Sequence, residues 1–231
     1  MSRRALLLIG SPRGRKGNSG SMGVYLAGKL GAAGMETVSF ILNPVRGGPD
    51  YAVLESEVSH ADLVILVSPV YVDSLPGPVI RALEQIAERR TDETPIHTAF
   101  SAVVCCGFPE PRHTELALAM CKIFAQETRM KWLGGLGFGM GETLGGKAPD
   151  EAGGTAFIIR WALDAASEAW SALEVVPESA LRSAGRQRIP SWIYRFMGNW
   201  GWSSNAKKQG TIDKMRDRPY EVNRKGNTDK R

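Results

Sequence analysis

The chain has 231 residues, 43% of them apolar and 23% charged, with a net charge of +5. This is an ordinary balance for a soluble globular protein, and the length holds one well-buried domain plus an extension. No apolar run approaches the ~18 residues of a membrane span, and the run after Arg3-Arg4 is too short for a secretory leader, so a cytoplasmic location is expected.

Ala5-Leu6-Leu7-Leu8-Ile9 is an apolar run of strand length. It ends at once in Gly10-Ser11-Pro12-Arg13-Gly14-Arg15-Lys16-Gly17-Asn18-Ser19-Gly20-Ser21. A helical pattern follows over residues 18–32, with Met22, Tyr25, Leu26 and Leu30 on one face. A buried strand feeding a hydroxyl-rich, basic loop and then a helix start builds an anion pocket from backbone N–H groups, hydroxyls and the helix dipole. The triphosphate loop is excluded, because Lys16 is followed by Gly17 and no Gly-Lys-Ser/Thr exists there. The G-x-G-x-x-G dinucleotide loop is excluded too, since Pro12 stands two residues after Gly10 and has no amide to donate. The plain alternative is a strand-to-helix turn with Asn18 or Ser19 as N-cap.

Strand two is expected over 36–42 and a short helix over 50–59. Strand three, 62–68, is Asp62-Leu63-Val64-Ile65-Leu66-Val67-Ser68, nearly continuous in apolar residues as in parallel sheets buried on both faces. It runs into Pro69-Val70-Tyr71-Val72-Asp73-Ser74-Leu75-Pro76-Gly77-Pro78, a stiff loop with a turn at Pro76-Gly77. Helix three spans 77–90 with Val79, Leu83, Ile86 and Ala87 inward, and strand four spans 99–106. Helix four spans 112–128 with a stripe of Leu116, Met120, Ile123 and Phe124. Strand five spans 132–139 and carries Gly135, Gly137, Gly139 and Gly141 with period two, so one face lacks side chains. Tight packing of helix five explains this, or close approach of a ligand near Gly141-Glu142-Thr143. Helix five spans 153–173, with Phe157, Trp161, Ala165 and Ala169 at helical spacing. The alternation predicts an α/β fold, a doubly wound five-stranded parallel sheet of order 2-1-3-4-5. Its switch point lies between strands one and three, and both candidate ligand loops follow those strands.

Gly10-Ser11-Pro12-Arg13 … Gly17-Asn18-Ser19 followed by Pro69-Val70-Tyr71 … Leu75-Pro76-Gly77-Pro78 resembles the NAD(P)H-dependent FMN reductases of the flavodoxin-like superfamily. The resemblance covers about residues 1–175, one flavodoxin-like domain. It implies that Ser11, Arg13, Asn18, Ser19 and Ser21 hold the FMN phosphate. It implies that Pro69, Val70, Tyr71 and Val72 lie along the isoalloxazine ring, and that Gly107 and Phe108, after strand four, border it. Gly14-Arg15-Lys16 is extra relative to the shortest loops of that family. The implied activity is transfer of reducing equivalents from NADPH or NADH, through FMN, to a quinone, flavin or other small acceptor. A homodimer is implied as well. The hydride step needs no acid or base from the protein, so no catalytic side chain is named.

Two other readings stay open. One is a flavodoxin-type electron carrier, disfavoured because such carriers tend to be acidic. The other is a non-catalytic module that binds a phosphorylated ligand. Cys105, Cys106 and Cys121 form neither a disulfide framework nor a zinc pattern, and read as small buried hydrophobes. No metal site and no iron–sulfur cluster is expected, and His113 reads as solvated.

The charge is unevenly placed. Residues 1–176, the expected domain, hold 16 basic and 19 acidic residues, whereas residues 177–231 hold 13 and 5. This extension is expected to be partly helical or irregular, with its last dozen residues mobile. Three of the six tryptophans, Trp192, Trp200 and Trp202, stand in it with Tyr194, Phe196, Arg195, Lys207 and Lys208. That composition suits a segment clamped over the domain or a dimer partner, and also a membrane surface. No nucleic-acid partner is expected.

Overall fold

The structure, a computed structural model, describes residues 2–42, 50–90 and 97–217, without the side chain of Thr155. The last dozen residues, expected to be mobile, lie outside the described residues. Residues Met1–Arg188 form one compact unit and Ile189–Arg231 a second.

The first unit is built on β1 (Arg4–Ile9), β2 (Glu36–Ile41), β3 (Leu63–Pro69), β4 (Ala99–Cys105) and β5 (Lys131–Phe138). All pairings are parallel and the order is β2-β1-β3-β4-β5. The helices of this unit are α1 (Asn18–Ala32), α2 (Tyr51–Ser59), α3 (Gly77–Arg89), α4 (Glu115–Glu127), α5 (Phe157–Ser171) and α6 (Glu178–Ala184). The unit thus extends past residue 176 and takes in α6.

Strand alternation divides the core. Ala5, Leu7, Ile9, Ile65, Val67 and Val103 face one way and pack on α1 and α5 through Met22, Leu26, Leu30, Leu163 and Trp170. Leu6, Leu8, Val64, Leu66, Phe100 and Val104 face the other way and meet α2, α3 and α4 through Leu54, Val79, Leu83, Ala117 and Cys121. Helices on both faces explain why β1, β3 and β4 read as unbroken apolar runs. Asp50 caps α2, accepting from the Ala52 N–H at 3.0 Å. Tyr25 on α1 donates to Asp164 on α5 at 2.6 Å, and Lys29 pairs with the same carboxylate at 2.8 Å.

Two helical stripes differ from expectation. On α4, Leu116 and Ile123 are each 56% exposed, while Ala117, Cys121, Phe124 and Ala125 are buried. The helix starts at Glu115, after a 3-10 turn over Pro111–Thr114. The buried face is thus Ala117, Cys121, Phe124 and Ala125, while Leu116 and Ile123 turn outward. On α5, Phe157 and Trp161 are exposed, and Ile159, Ala162, Leu163, Ala166 and Trp170 form the inner face. Both helices carry apolar residues on two faces, so spacing alone does not choose between them.

The glycine face of β5 also has a different neighbour. A Cβ at Gly135 would lie 2.6 Å from Leu118 of α4, and one at Gly137 would lie 2.1 Å from the Thr114 hydroxyl. The element packed there is α4 with its leading turn, not α5. Gly137→Ala should lower stability by about 1–3 kcal/mol through overpacking. Gly28→Ala, at an exposed site in α1 with nothing within 4 Å, should raise it by about 0.5–1 kcal/mol. Denaturant midpoints for the two variants test both signs.

Candidate functional site

β1 and β3 are neighbours, but α1 leaves β1 for one face of the sheet and α3 leaves β3 for the other. Their carboxyl ends border an open cleft. Residues from four strand ends line it: Ser11, Arg13, Asn18 and Ser19, then Pro69, Val70 and Tyr71, then Cys105, Cys106 and Gly107, then Gly141 and Glu142.

The first loop leaves β1 through Gly10, whose N–H donates to Val67 O at 2.8 Å. Gly14-Arg15-Lys16, the extra residues, form a 3-10 turn. Gly17, not Asn18 or Ser19, is the N-cap of α1, and no side chain caps it. A Cβ at Gly17 would stand 2.3 Å from the Ser11 hydroxyl, so glycine is needed there. The Asn18 carbonyl oxygen instead accepts from the Gly146 N–H at 2.8 Å, tying the loop after β5 to α1. Ser11 and Ser19 are 3% and 2% exposed and line the cleft. The first-turn N–H groups of α1 point the same way by helix geometry.

The second loop packs through Val70, whose N–H donates to Cys105 O at 2.9 Å. Tyr71 and Ser74 exchange backbone bonds of 2.9 and 3.1 Å around Val72 and Asp73. Both of these have positive φ, 51° and 58°. That is the geometry of a two-residue hairpin turn, costly for a β-branched valine. Asp73 pairs with His113 at 2.8 Å, and the His113 ring lies 5.0 Å from Phe108. His113 was expected to be solvated; the structure makes it a tie between the loops after β3 and β4.

Three residues singled out from sequence do not line the cleft. The Ser21 hydroxyl donates to Asn18 O at 2.9 Å, within α1. Val72 is 99% exposed at the turn tip, and Phe108 is exposed beside His113. Cys105 and Cys106 line the cleft although no ligand signal marked them. Arg188 was missed too. It is partly buried, bonding Gly139 O and, at 3.4 Å, the Thr143 hydroxyl, and so it braces the turn that carries Gly141 and Glu142. Burial lowers its pKa. Glu142 lies 3.7 Å from Arg13 across the cleft mouth, an exposed pair of small energetic weight.

The thiols are inert. Burial pushes the Cys105 pKa up to about 12, with a smaller push from Cys106. Burial raises Cys106 as well; its Sγ donates to Phe108 O at 3.5 Å. Cys121, on the buried face of α4 and away from the cleft, is also raised to about 12 by burial.

One end of the cleft therefore offers two serine hydroxyls and a helix start with no side-chain cap. The other offers an apolar and aromatic wall. A terminal phosphate fits the first and a flat ring the second, which is what FMN requires. The fold is flavodoxin-like, and the cleft lies at its switch point. The chain belongs to the NADPH-dependent FMN reductase family, whose model matches residues 3–143.

Among solved structures, an NADH:FMN oxidoreductase matches with TM-score 0.56 and 14% identity, covering 83% of this chain and 99% of that one. A putative quinone reductase from Klebsiella pneumoniae matches with TM-score 0.54 and 15% identity, over 76% and 88%. A flavone reductase matches with TM-score 0.54 and 14% identity, over 71% of this chain and 63% of that one. The chain spans 29% of the length of a further match, a rubredoxin oxygen:oxidoreductase from Desulfovibrio gigas. At these identities the likeness shows the fold. No curated protein matches.

Two measurements test the site's internal chemistry. The Cys105 and Cys121 values lie above the ordinary 9.0. The folded state holds those protons more tightly than the unfolded chain, so their contribution is complete below pH about 9 and lost as pH rises toward about 12. Melting temperature should fall across that window, and less steeply in Cys121→Ala. Arg188→Ala should speed hydrogen exchange at Met140 and Gly141 by about tenfold, the loss expected for one bond to a charged group.

Proposed function

We propose that the cleft holds FMN, its phosphate toward Ser11, Asn18 and Ser19 and its ring against Pro69, Val70, Tyr71 and Gly107. We further propose that the protein passes reducing equivalents from NADPH or NADH to a small acceptor, a quinone or free flavin. The observation that carries this reading is the pair of cleft-lining serines, Ser11 and Ser19, beside a helix start with no side-chain cap, in a cleft also lined by Pro69, Val70 and Tyr71. FMN, when bound, supplies hydride acceptance and one- or two-electron donation.

The chain's own residues bind and orient. Ser11 and Ser19 supply neutral donors, and the first-turn amides of α1 add the helix dipole. Arg13, opposite Glu142, brings positive charge to the mouth. Both cleft thiols stay protonated at neutral pH, so neither offers a thiolate nucleophile, and the reading assigns no catalytic side chain. Tyr71, half exposed at the rim, offers a face on which a flat nicotinamide and then a flat acceptor stack in turn.

The family description supports the flavin and the reduced nicotinamide. The acceptor class draws support from neighbours described as an NADH:FMN oxidoreductase and a putative quinone reductase. A homodimer is part of the proposal. Its support is an apolar groove between α3 and α4, lined by Ile80, Leu83, Ala87, Met120, Ile123 and Phe124. A cytoplasmic location is proposed from the three free cysteines, which suit a reducing compartment. Among the described residues no helix is long and apolar enough to cross a membrane.

Purified protein should take up FMN, turn yellow and be bleached by NADPH or NADH, then recolour on adding quinone. Ser11→Ala or Ser19→Ala should cost about 1.5–3 kcal/mol of FMN binding, about ten- to hundredfold in affinity. Uptake of FMN with no nicotinamide turnover would mark an electron carrier. A protein that refuses FMN would remove the reading.

A further inference from the structure

α7 (Ser191–Lys208), in the second unit, is an 18-residue helix with no buried residue. Apart from Tyr194 and Trp202, which fall outside it, its large apolar residues form one stripe set by the helix period. Trp192, Phe196 and Trp200 recur at i, i+4 and i+8, and Ile193 and Met197 fill the space beside them. At 3.6 residues per turn these five fall within an arc of about 140°. Trp192, Phe196, Met197 and Trp200 are each 59–71% exposed. A soluble helix with that face uncovered is at odds with ordinary surface composition.

Charge narrows what covers the face. The cations of α7 are Arg195, Lys207 and Lys208, and the helix contains no acidic residue. Residues 189–231 hold ten Lys and Arg against four Asp and Glu. A second copy of α7 would bring like charges together. Nucleic acid would use the cations and leave the aliphatic members of the arc, Ile193 and Met197, in water. Tryptophan, with its amphipathic ring, prefers the headgroup level of a bilayer to a dry core.

We propose that α7 docks in the plane of an anionic membrane surface. Trp192, Ile193, Phe196, Met197 and Trp200 enter the interface, and Arg195, Lys207 and Lys208 meet lipid phosphates. α7 lies on the membrane and does not span it. This inference stands apart from the flavin reading and does not need it.

The test uses the full chain and vesicles of phosphatidylcholine, alone or mixed with phosphatidylglycerol. Co-sedimentation should be about tenfold or more stronger with the anionic vesicles. It should weaken with salt, and tryptophan emission should shift to the blue on binding. The triple variant W192S/F196S/W200S should lose binding. Lys207→Gln with Lys208→Gln should lose the lipid preference while circular dichroism stays unchanged. Failure to bind anionic vesicles overturns the proposal, and so does equal binding to both vesicle types. Binding that survives the aromatic substitutions also overturns it, because it marks a general polyanion attraction. Emission already blue without vesicles and unmoved by them overturns it in favour of α7 packed on protein.

Discussion

Everything at the site depends on the reversal of strand order beside β1. β1 and β3 run parallel and adjacent, and right-handed crossovers carry α1 and α3 to opposite faces of the sheet. The loops at their ends must diverge, and a crevice opens where they part. No side chain has to be sacrificed to make it. The depth comes from topology, and the residues only decide what the crevice holds.

Hydrogen bonds from distant chain segments hold the crevice in one shape. Asn18 accepts from Gly146, Cys106 O accepts from Gly141, and Met140 donates to Phe108 O. Asp73 and His113 bind the β3 loop to the β4 loop. Arg188 braces the β5 turn from a point in sequence well past the family match at 3–143. Several of these ties are made at strained or special backbone positions, Val72, Asp73 and Met140 among them. Such strain persists where the surroundings over-determine the conformation, which is common beside binding sites.

The chemistry offered is that of positioning. The cleft presents neutral hydroxyls and helix amides at one end and an apolar wall at the other, with its thiols silenced by burial. A protein built this way leaves reactivity to a cofactor and controls where that cofactor lies. The aromatic, cationic α7 adds a second kind of surface, set apart in chain and composition from the cleft.

Sequence by itself determined the class of fold and named most of the residues that line the cleft at the ends of β1 and β3. Continuous apolar strands alternating with helical patterns left only a doubly wound sheet, and the two loops that follow strands one and three were readable from Gly, Pro, Ser and Asn. Ser11, Arg13, Asn18, Ser19, Pro69, Val70, Tyr71 and Gly107 all line the cleft. Tertiary structure alone decided the rest, because it turned on distances between segments far apart in the chain. Asn18 reads as a cap and is spent on Gly146, 128 residues away. Leu116, Ile123, Phe157 and Trp161 have helical spacing, but the face a helix buries is set by the sheet it meets, and the glycines of β5 admit Leu118 of α4 and Thr114 of its leading turn. Arg188 gave no local sign at all, since a guanidinium becomes a brace only when folding sets carbonyl and hydroxyl oxygens within its reach.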